Sequence, residues 1–203
     1  IFTREAFASY PDQVMVFRYT ATNKGSLSGK ISLHSAQGAK TSSTSNSLIF
    51  SGEMPNKLKY AAVVQFKNYG GKTKVEGDSL VFEKCNSVTI LVNARTNYKP
   101  DFYSGWRGND PLPEIERELA AVQTYTYRQL FDRHLQDITK LTKAAKIDIG
   151  SSERDVLTLP TDERLKKYAA GGKDPDLEET MFQIGRYLLV SCSRPGGLPA
   201  NLQ

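Results

Sequence analysis

Residues 58–66 have the sequence Leu-Lys-Tyr-Ala-Ala-Val-Val-Gln-Phe. Every second residue of the stretch is apolar, namely Leu58, Tyr60, Ala62, Val64 and Phe66. Successive side chains of a β-strand point to opposite faces of its sheet, so this period of two is typical of a strand with one buried face. We therefore expect a half-buried antiparallel strand here.

The same alternation recurs on both sides of this stretch. It is found in residues 14–21 and 27–33 before it, and apolar strand-like runs follow at 80–82 and 88–94. Turn-forming residues separate the runs, including a Ser/Thr-rich segment at 38–47 and Gly70-Gly71. About six or seven short strands with this spacing predict an antiparallel β-sandwich, or a large portion of one.

The pattern changes after Pro111-Leu112-Pro113. Ile115, Leu119 and Val122 recur at helical spacing, and a second apolar stripe continues through residues 130–141. A period near 3.6 residues indicates amphipathic helices. The sequence thus predicts a helical linker that ends near Gly150.

A charged stretch from Ser151 is expected to be weakly ordered, and a further helix to begin after Asp174. Asp is a favoured N-cap residue, and Pro175 suits the first helical position. Residues 193–197, Ser-Arg-Pro-Gly-Gly, are expected to end this helix. Because the helix is apolar nearly all round, we expect it in the interior of a helical array, with Gly185 allowing close contact with a neighbouring helix. Arg186 is expected to form an internal salt bridge.

Composition excludes several classes of function. The chain has 27 Lys and Arg against 22 Asp and Glu, a net charge of +5, but these charges are dispersed. Dispersed charge predicts a solvated surface and no nucleic-acid partner. No apolar run reaches the roughly 20 residues that span a bilayer, so no membrane span is expected. Cys85 and Cys192 lack metal-ligand or CxxC spacing and are expected to be buried free thiols.

No residue pattern in the chain predicts a catalytic or metal site. His34 is expected on the polar face of a strand, and His134 in a structural position on the linker. Acid–base hydrolysis commonly needs two carboxyl groups, one protonated and one ionised. The candidates all lie in charged, solvent-like sequence: Glu114, Glu116 and Glu118 on the linker, Asp162 and Glu163 in an expected loop, and Glu178 and Glu179 on the last helix. None is predicted to be catalytic.

Residues 98–107, Tyr-Lys-Pro-Asp-Phe-Tyr-Ser-Gly-Trp-Arg, carry four aromatic side chains, including Trp106, the only tryptophan. Two interpretations stand side by side. The loop could be a clamp that fixes the β domain to the helices. Alternatively, since aromatic faces stack on sugar rings, the loop could be a sugar-facing platform with Trp106 as a substrate-binding residue.

Five linked blocks in the last third of the chain resemble the start of the catalytic barrel in the α-L-fucosidases of glycoside hydrolase family 95. They are residues 159–165 (LPTDERL), 174–177 (DPDL), 182–189 (FQIGRYLL), 193–196 (SRPG) and 199–203 (PANLQ). Upstream, residues 4–14 (REAFASYPDQV) and 96–99 (TNYK) resemble the family's N-terminal β domain. The resemblance covers nearly the whole chain.

The resemblance implies an α+β multidomain fragment of a longer polypeptide. Its parts are a portion of an N-terminal β-sandwich (a super-sandwich) over residues 1–107, a helical linker over 108–150, and the start of an (α/α)₆ catalytic barrel over 151–203. The family's loops after the first barrel helix open towards the cavity, so Arg194, Asn201 and Gln203 are the best candidates for lining a substrate pocket.

The resemblance also implies an activity. The family releases terminal α-L-fucose, or the related L-galactose, by inversion without a cofactor, and its general acid and water-activating residues lie on barrel segments that no position here matches. The implied partners are a fucosylated glycan and the remainder of the parent polypeptide, and the implied compartment is secreted or periplasmic. The rival interpretation is a non-catalytic carbohydrate-binding or scaffold module built on the β-sandwich.

Overall fold

The structure of the chain is a computed structural model that describes residues 1–198 and 200. The chain divides into two compact units, Ile1–Leu135 and Gln136–Gln203. The first unit is built on antiparallel strands, and the second is helical within its described residues. The boundary between units falls inside a helix, whereas the sequence predicts boundaries near residues 107 and 150; those limits stay predictions.

Six strands of the first unit form one antiparallel sheet. Their bounds are β1 Phe2–Ser9, β2 Val14–Ala21, β4 Ser42–Ser43, β5 Ser47–Glu53, β6 Lys59–Tyr69 and β9 Ser87–Thr96. Their order is β1-β2-β9-β6-β5-β4. The three remaining strands, β3 Leu27–Ser32, β7 Lys72–Glu76 and β8 Ser79–Cys85, form a second antiparallel sheet in the order β3-β8-β7.

The two sheets share a hydrophobic core. Val64 and Phe66 of β6 and Val88 of β9 pack in one cluster with Leu80 and Cys85 of β8. Since the first three belong to the large sheet and the last two to the small one, the sheets lie face to face. The predicted sandwich-like antiparallel arrangement is confirmed.

The opposite face of the large sheet is also covered. Ala61 and Val63 of β6 pack with Ile115, Leu119 and Val122, which all lie on helix α1 (Pro111–Val122). Strand β6 is thus buried on both faces along residues 60–64, which corrects the expectation of a half-buried strand. Burial on both faces explains why the stretch Ala-Ala-Val-Val carries no polar residue.

The helices begin where the sequence places their caps. Asp110 accepts a hydrogen bond from the Leu112 amide at 3.1 Å and starts α1. Helix α2 follows at Tyr127–Thr142. In the second unit Asp174 caps α5 (Pro175–Cys192), as predicted, by accepting from the Leu177 amide at 3.1 Å.

The stretch that follows Ser151 is more regular than the sequence analysis predicts. It contains the short helix α3 (Arg154–Leu157) and then α4 (Thr161–Ala169), so Asp162 and Glu163 lie in a helix and not in a loop. The carboxylates stand in the first turn of α4 and Lys166 and Lys167 in its last. Acidic residues at the start of a helix and basic residues at its end interact favourably with the helix dipole. In the sequence alone, such a series of charges resembles an unstructured segment.

Helix α5 exposes its apolar side chains within the described part of the chain. Met181, Ile184, Leu188 and Leu189 are each about half accessible to solvent. A side chain added at Gly185 would have no described atom within 4 Å, so the expected close helix contact is not formed by these residues. No helix among the described residues is long and apolar enough to cross a membrane.

Candidate functional site

The loop between β9 and α1 forms a compact projection that carries Trp106. The Lys99 amide donates to the Trp106 carbonyl at 3.2 Å, and the Trp106 amide donates to the Asp101 carbonyl at 3.0 Å. Tyr98 and Arg107 pair as an isolated antiparallel bridge at its base. The Arg107 guanidinium donates to the Asn56 carbonyl at 2.7 Å. The backbone of the loop is therefore closed on itself and tied to the β unit.

The aromatic rings of this loop contact one another and stay exposed. Tyr98 and Trp106 lie with ring centroids 6.4 Å apart and planes only 5° from parallel, and Phe102 meets the Trp106 ring edge-on at 6.3 Å. Their exposed fractions are 45%, 44% and 72%, and that of Tyr103 is 97%. None of the four belongs to a hydrophobic core cluster of the described residues. The interpretation as a packed clamp therefore finds no support in their contacts.

Trp106 adopts a backbone conformation that is rare for large residues. Its φ is +62°, and that of the preceding Gly105 is +63°. A non-glycine residue in the left-handed region costs about 1–3 kcal/mol, and such residues concentrate at binding sites. The hydrogen bonds of the loop hold this conformation in place.

A cavity of about 490 Å³ opens beside the loop. Its lining includes Tyr98, Lys99 and Arg107 from the loop, Arg95 from β9 and Glu114 from α1. The volume falls within the roughly 300–1,000 Å³ typical of small-ligand sites. The first unit thus combines a polar cavity with adjacent exposed aromatic rings.

Most of the charges around this cavity are paired. Arg95 donates to both oxygens of Glu118, at 2.5 and 3.2 Å. Lys99 donates to Asp101 at 3.0 Å, and this hydrogen bond lowers the pKa of the Asp101 carboxyl. Arg107 bonds only backbone carbonyls, and among the described residues no carboxylate lies within salt-bridge distance of it. Arg107 is therefore the one lining cation without an acidic partner in that part of the chain.

The carboxylates considered for catalysis are engaged in structural contacts or stand on exposed helix faces. Glu118 also accepts from Asn93 at 2.7 Å, Glu178 accepts from the Tyr168 hydroxyl at 3.1 Å, and Glu179 accepts from the Ile149 amide at 2.8 Å. Glu116 and Glu163 are exposed on α1 and α4. Of these candidates, Glu114 lines the cavity beside the loop, and no second candidate carboxylate is part of that lining. Glu114 faces the cations Arg95 and Arg117 instead.

Arg194 forms a bidentate ion pair inside the second unit. Its guanidinium donates to both oxygens of Asp137 on α2, each at 2.6 Å, and both side chains are mostly buried. A substrate role for Arg194 stays a prediction. Asn201 and Gln203 lie outside the described residues, so their proposed role also stays a prediction.

Among the described residues, Arg186 does not form the internal salt bridge that the sequence predicts. It donates instead to the carbonyls of Leu141, Thr142 and Ala145, at 3.2, 3.0 and 2.6 Å. These carbonyls belong to the end of α2 and the turn after it, where helical acceptors lack partners. A guanidinium with several donors satisfies them together.

The remaining candidate residues have structural positions. His134 stacks on Phe7 with centroids 4.9 Å apart, and exposed His34 lies 3.8 Å from Asp78. Cys85 is buried, but Cys192 is exposed, which corrects the prediction of two buried thiols. Within the part of the chain that the structure describes, no three His, Cys, Asp or Glu residues are grouped to hold a metal ion.

Sequence reasoning missed the cavity and two of its residues, Lys99 and Arg107. The cluster of four aromatic residues in ten positions was the available signal. It marks the loop but not the cations, since their positions depend on how the loop folds back on itself.

Comparison with known proteins relates both parts of the chain to glycoside hydrolases. Residues 126–203 match the glycosyl hydrolase family 95 catalytic domain, and residues 1–101 match the N-terminal domain of glycosyl hydrolase family 65. Residues 126–203 of the chain thus belong to the family 95 catalytic domain.

Its curated relatives are named as fucosidases. Alpha-L-fucosidase 2 of Arabidopsis thaliana is 32% identical over 100% of this chain and 27% of its own length. Two proteins named "Probable alpha-fucosidase A" are also similar: that of Aspergillus niger is 29% identical over 98% of this chain, and that of Aspergillus oryzae 26% over 100%. The chain spans 27 to 30% of the length of these relatives.

Proposed function

We propose that this chain is part of an α-L-fucosidase-type glycoside hydrolase that releases terminal α-L-fucose, or the related L-galactose, from oligosaccharides and glycans. The observation that carries the proposal is the similarity of essentially the whole chain to three relatives named as α-fucosidases. The proposed substrate is a fucosylated glycan, and the proposed compartment is extracytoplasmic, secreted or periplasmic, as the family resemblance implies.

The mechanism we propose is inversion without a cofactor. An inverting glycosidase places a protonated carboxylic acid at the leaving oxygen and a base that activates water on the opposite face, with about 6.5–9.5 Å between the two groups. Of the candidate carboxylates, Glu118 is bound to Arg95, Glu178 to Tyr168 and Glu179 to the Ile149 amide, and Glu116 and Glu163 stand on exposed helix faces. We therefore place the acid and the water-activating residues on parts of the enzyme outside these 203 residues.

In this proposal residues 151–203 are the start of an (α/α)₆ barrel, and Arg194, Asn201 and Gln203, which follow α5, line the substrate pocket. The ion pair between Arg194 and Asp137 supports a positioning role in that region, because a buried bidentate pair fixes the course of the chain after the helix. An Arg194→Lys change, which cannot keep the fork geometry, would raise the KM of the enzyme.

The test uses a longer polypeptide that contains these residues and has the length of the relatives. It is incubated with an aryl α-L-fucoside, and the released sugar is followed by NMR. We expect L-fucose to appear first as the β anomer. First appearance of the α anomer would contradict inversion, and no release would contradict the activity. An aryl β-D-galactoside is the substrate control.

The second candidate function is a non-catalytic carbohydrate-binding or scaffold module, and the exposed rings beside the 490 Å³ cavity favour it. The longer polypeptide separates the two candidates, because only the first predicts that it releases fucose, whereas the 203-residue chain lacks the proposed catalytic groups in both cases. We expect no fucoside turnover by this chain. Turnover that is lost in Glu178→Gln or Glu179→Gln would show that the catalytic groups lie within it.

A further inference from the structure

The loop of residues 98–107 presents flat aromatic surface that belongs to no hydrophobic core cluster of the described residues, and Tyr98 and Trp106 are each a little under half exposed. The Tyr98 and Trp106 rings are within 5° of parallel, so they offer faces of the same orientation. Aromatic side chains left largely in water forfeit the energy of burial, which makes such a patch typical of a binding surface. Pyranose rings are suited to it, because one face of the ring carries C–H groups that pack on an aromatic plane.

The loop is also ordered before any ligand arrives. The Asp101 carboxylate accepts from the Tyr103 amide at 3.0 Å and from Lys99 at 3.0 Å, and the Ser104 hydroxyl donates to the Asp101 carbonyl at 2.9 Å. Binding to a preformed surface avoids the entropy cost of ordering it. The positive φ of Trp106 fits this view, since the loop maintains a strained conformation that exposes the ring.

The neighbouring cavity supplies polar groups. Arg107 has five N–H donors and uses one each for the Trp106 and Asn56 carbonyls, at 3.0 and 2.7 Å. Lys99, also in the lining, uses its ammonium group for Asp101. Donors that remain can bind the hydroxyl groups of a sugar while the rings bind its C–H face.

The charges of the lining select between neutral and acidic sugars. Arg95 is neutralised by Glu118 and Lys99 by Asp101, and Glu114 lies 3.6 Å from Arg117 and 3.9 Å from Arg95, so a single lining cation, Arg107, has no described acidic partner. No strong positive field therefore remains for a polyanion. We infer that the loop of residues 98–107 and the adjoining cavity bind a neutral oligosaccharide, with Tyr98 and Trp106 stacking on its rings and Arg107 donating to its hydroxyls.

Trp106 provides a direct test, because it is the only tryptophan of the chain. The 203-residue protein is titrated with cellotetraose, a neutral oligosaccharide whose rings have flat C–H faces, and Trp106 fluorescence is recorded. We expect a saturable change with a dissociation constant in the micromolar to millimolar range. No saturable change with millimolar cellotetraose would overturn the inference. The readout is equilibrium binding, so it is separate from any failure of the proposed fucosidase activity.

Variants assign the binding to this loop. Calorimetry of Tyr98→Ala and Arg107→Met should show roughly tenfold weaker binding, the factor that corresponds to about 1.4 kcal/mol. Trp106→Gly removes the ring and suits the positive φ, so it should abolish binding without lowering the melting temperature. Trp106→Phe should keep most of the affinity.

The matched control is Tyr69→Ala, which removes a more exposed aromatic ring, 71% accessible, at the end of β6. Its affinity should equal that of the unmodified chain. Equal affinity in Trp106→Gly, or an equal loss in Tyr69→Ala, would show that cellotetraose binds elsewhere and would overturn the assignment.

Discussion

Arg164 and Asp174 form a two-point salt bridge that joins α4 to the first turn of α5. The guanidinium donates at 2.8 and 2.7 Å to the two carboxylate oxygens. Asp174 also accepts from the Ser152 hydroxyl at 2.5 Å and from the Leu177 amide at 3.1 Å. One buried carboxylate thus caps α5 and connects it to two preceding segments of the second unit.

The first prediction concerns the acid stability of the second unit. The Arg164 hydrogen bonds, followed by those from Ser152 and Leu177, hold the pKa of Asp174 well below its ordinary value. A carboxyl with a depressed folded-state pKa stabilises the fold above its unfolded pKa of about 3.9, and this stability is lost as pH falls below that value. We expect the melting temperature to fall on acidification below about pH 4.

Asp174→Asn separates the charge from the helix cap, since asparagine also caps helices well. This variant should melt lower at neutral pH, and its difference from the unmodified chain should shrink in acid. Asp162→Asn, at an exposed carboxylate 3.8 Å from Lys166, is the control and should change the melting temperature far less than Asp174→Asn. A difference that stays constant with pH would contradict the role of the ion pair.

The second prediction concerns the end of α2, which Arg186 caps through three carbonyls. Arg186→Met keeps the aliphatic stem but leaves these acceptors without the guanidinium. We expect a loss of about 1 kcal/mol of local stability, measured as faster amide hydrogen exchange over residues 138–145. The exchange rates in Arg186→Lys should lie between those of Arg186→Met and those of the unmodified chain. Unchanged exchange in the Met variant would show that solvent satisfies these carbonyls equally well.

The third prediction concerns the exposed apolar face of α5. Ile184 and Leu188 are four residues apart and lie on the same side of the helix. Burial of each such side chain is worth about 1.5–3 kcal/mol, so the 203-residue chain should self-associate through this face. Sedimentation should show concentration-dependent association, and the double variant Ile184→Lys, Leu188→Lys should be monomeric.

The control for α5 places lysine at two exposed leucines of the same unit, Leu157 on α3 and Leu165 on α4. These changes add the same charge and should leave the association intact. Strong amide protection across residues 181–190 in a monomeric sample would contradict the prediction, because it would mean that the chain covers this helix by itself.

The fourth prediction compares two glycines in the β unit. Gly71 and Gly77 both have positive φ, +67° and +60°. A side-chain carbon at Gly71 would meet the Glu83 carbonyl oxygen at 2.2 Å, whereas at Gly77 it would meet nothing within 4 Å. Gly77→Ala should therefore cost only the conformational strain, about 1–2 kcal/mol. Gly71→Ala should cost clearly more in urea unfolding, and equal costs would contradict the clash.

The fifth prediction concerns Tyr127, whose buried hydroxyl has no hydrogen-bond partner among the described residues. Burial, with a further contribution from Glu5, raises the pKa of Tyr127 to about 12. A raised pKa in an acidic group means that its ionisation opposes folding, so the fold should lose stability as pH rises from the unfolded value of about 10 through the folded value.

Removing this hydroxyl should be harmless at neutral pH. Tyr127→Phe should have the same free energy of unfolding as the unmodified chain, or one higher by up to about 1 kcal/mol. Tyr60→Phe is the control, since the Tyr60 hydroxyl donates to the Gln37 carbonyl at 3.4 Å, and its removal should be mildly destabilising. A marked loss of stability in Tyr127→Phe would reveal a polar partner for this hydroxyl.

Local patterns in the sequence determined much of the fold. The period of two predicted β2 with its observed bounds, Val14–Ala21, and the spacing of Ile115, Leu119 and Val122 identified the buried face of α1. The sequence also predicted the helix cap at Asp174. These features depend on neighbours within a few residues, which is why one sequence suffices to predict them.

Only the tertiary structure decided what lies against each element and which charges are paired. The sequence marks β6 as a strand, but the packing of α1 on one face and the second sheet on the other makes it buried on both. Likewise, Arg95 and Arg107 have the same side chain, yet Arg95 is bound to Glu118 and Arg107 has no described acidic partner. Such differences arise from contacts between residues distant in the chain, which local periodicity and spacing do not encode.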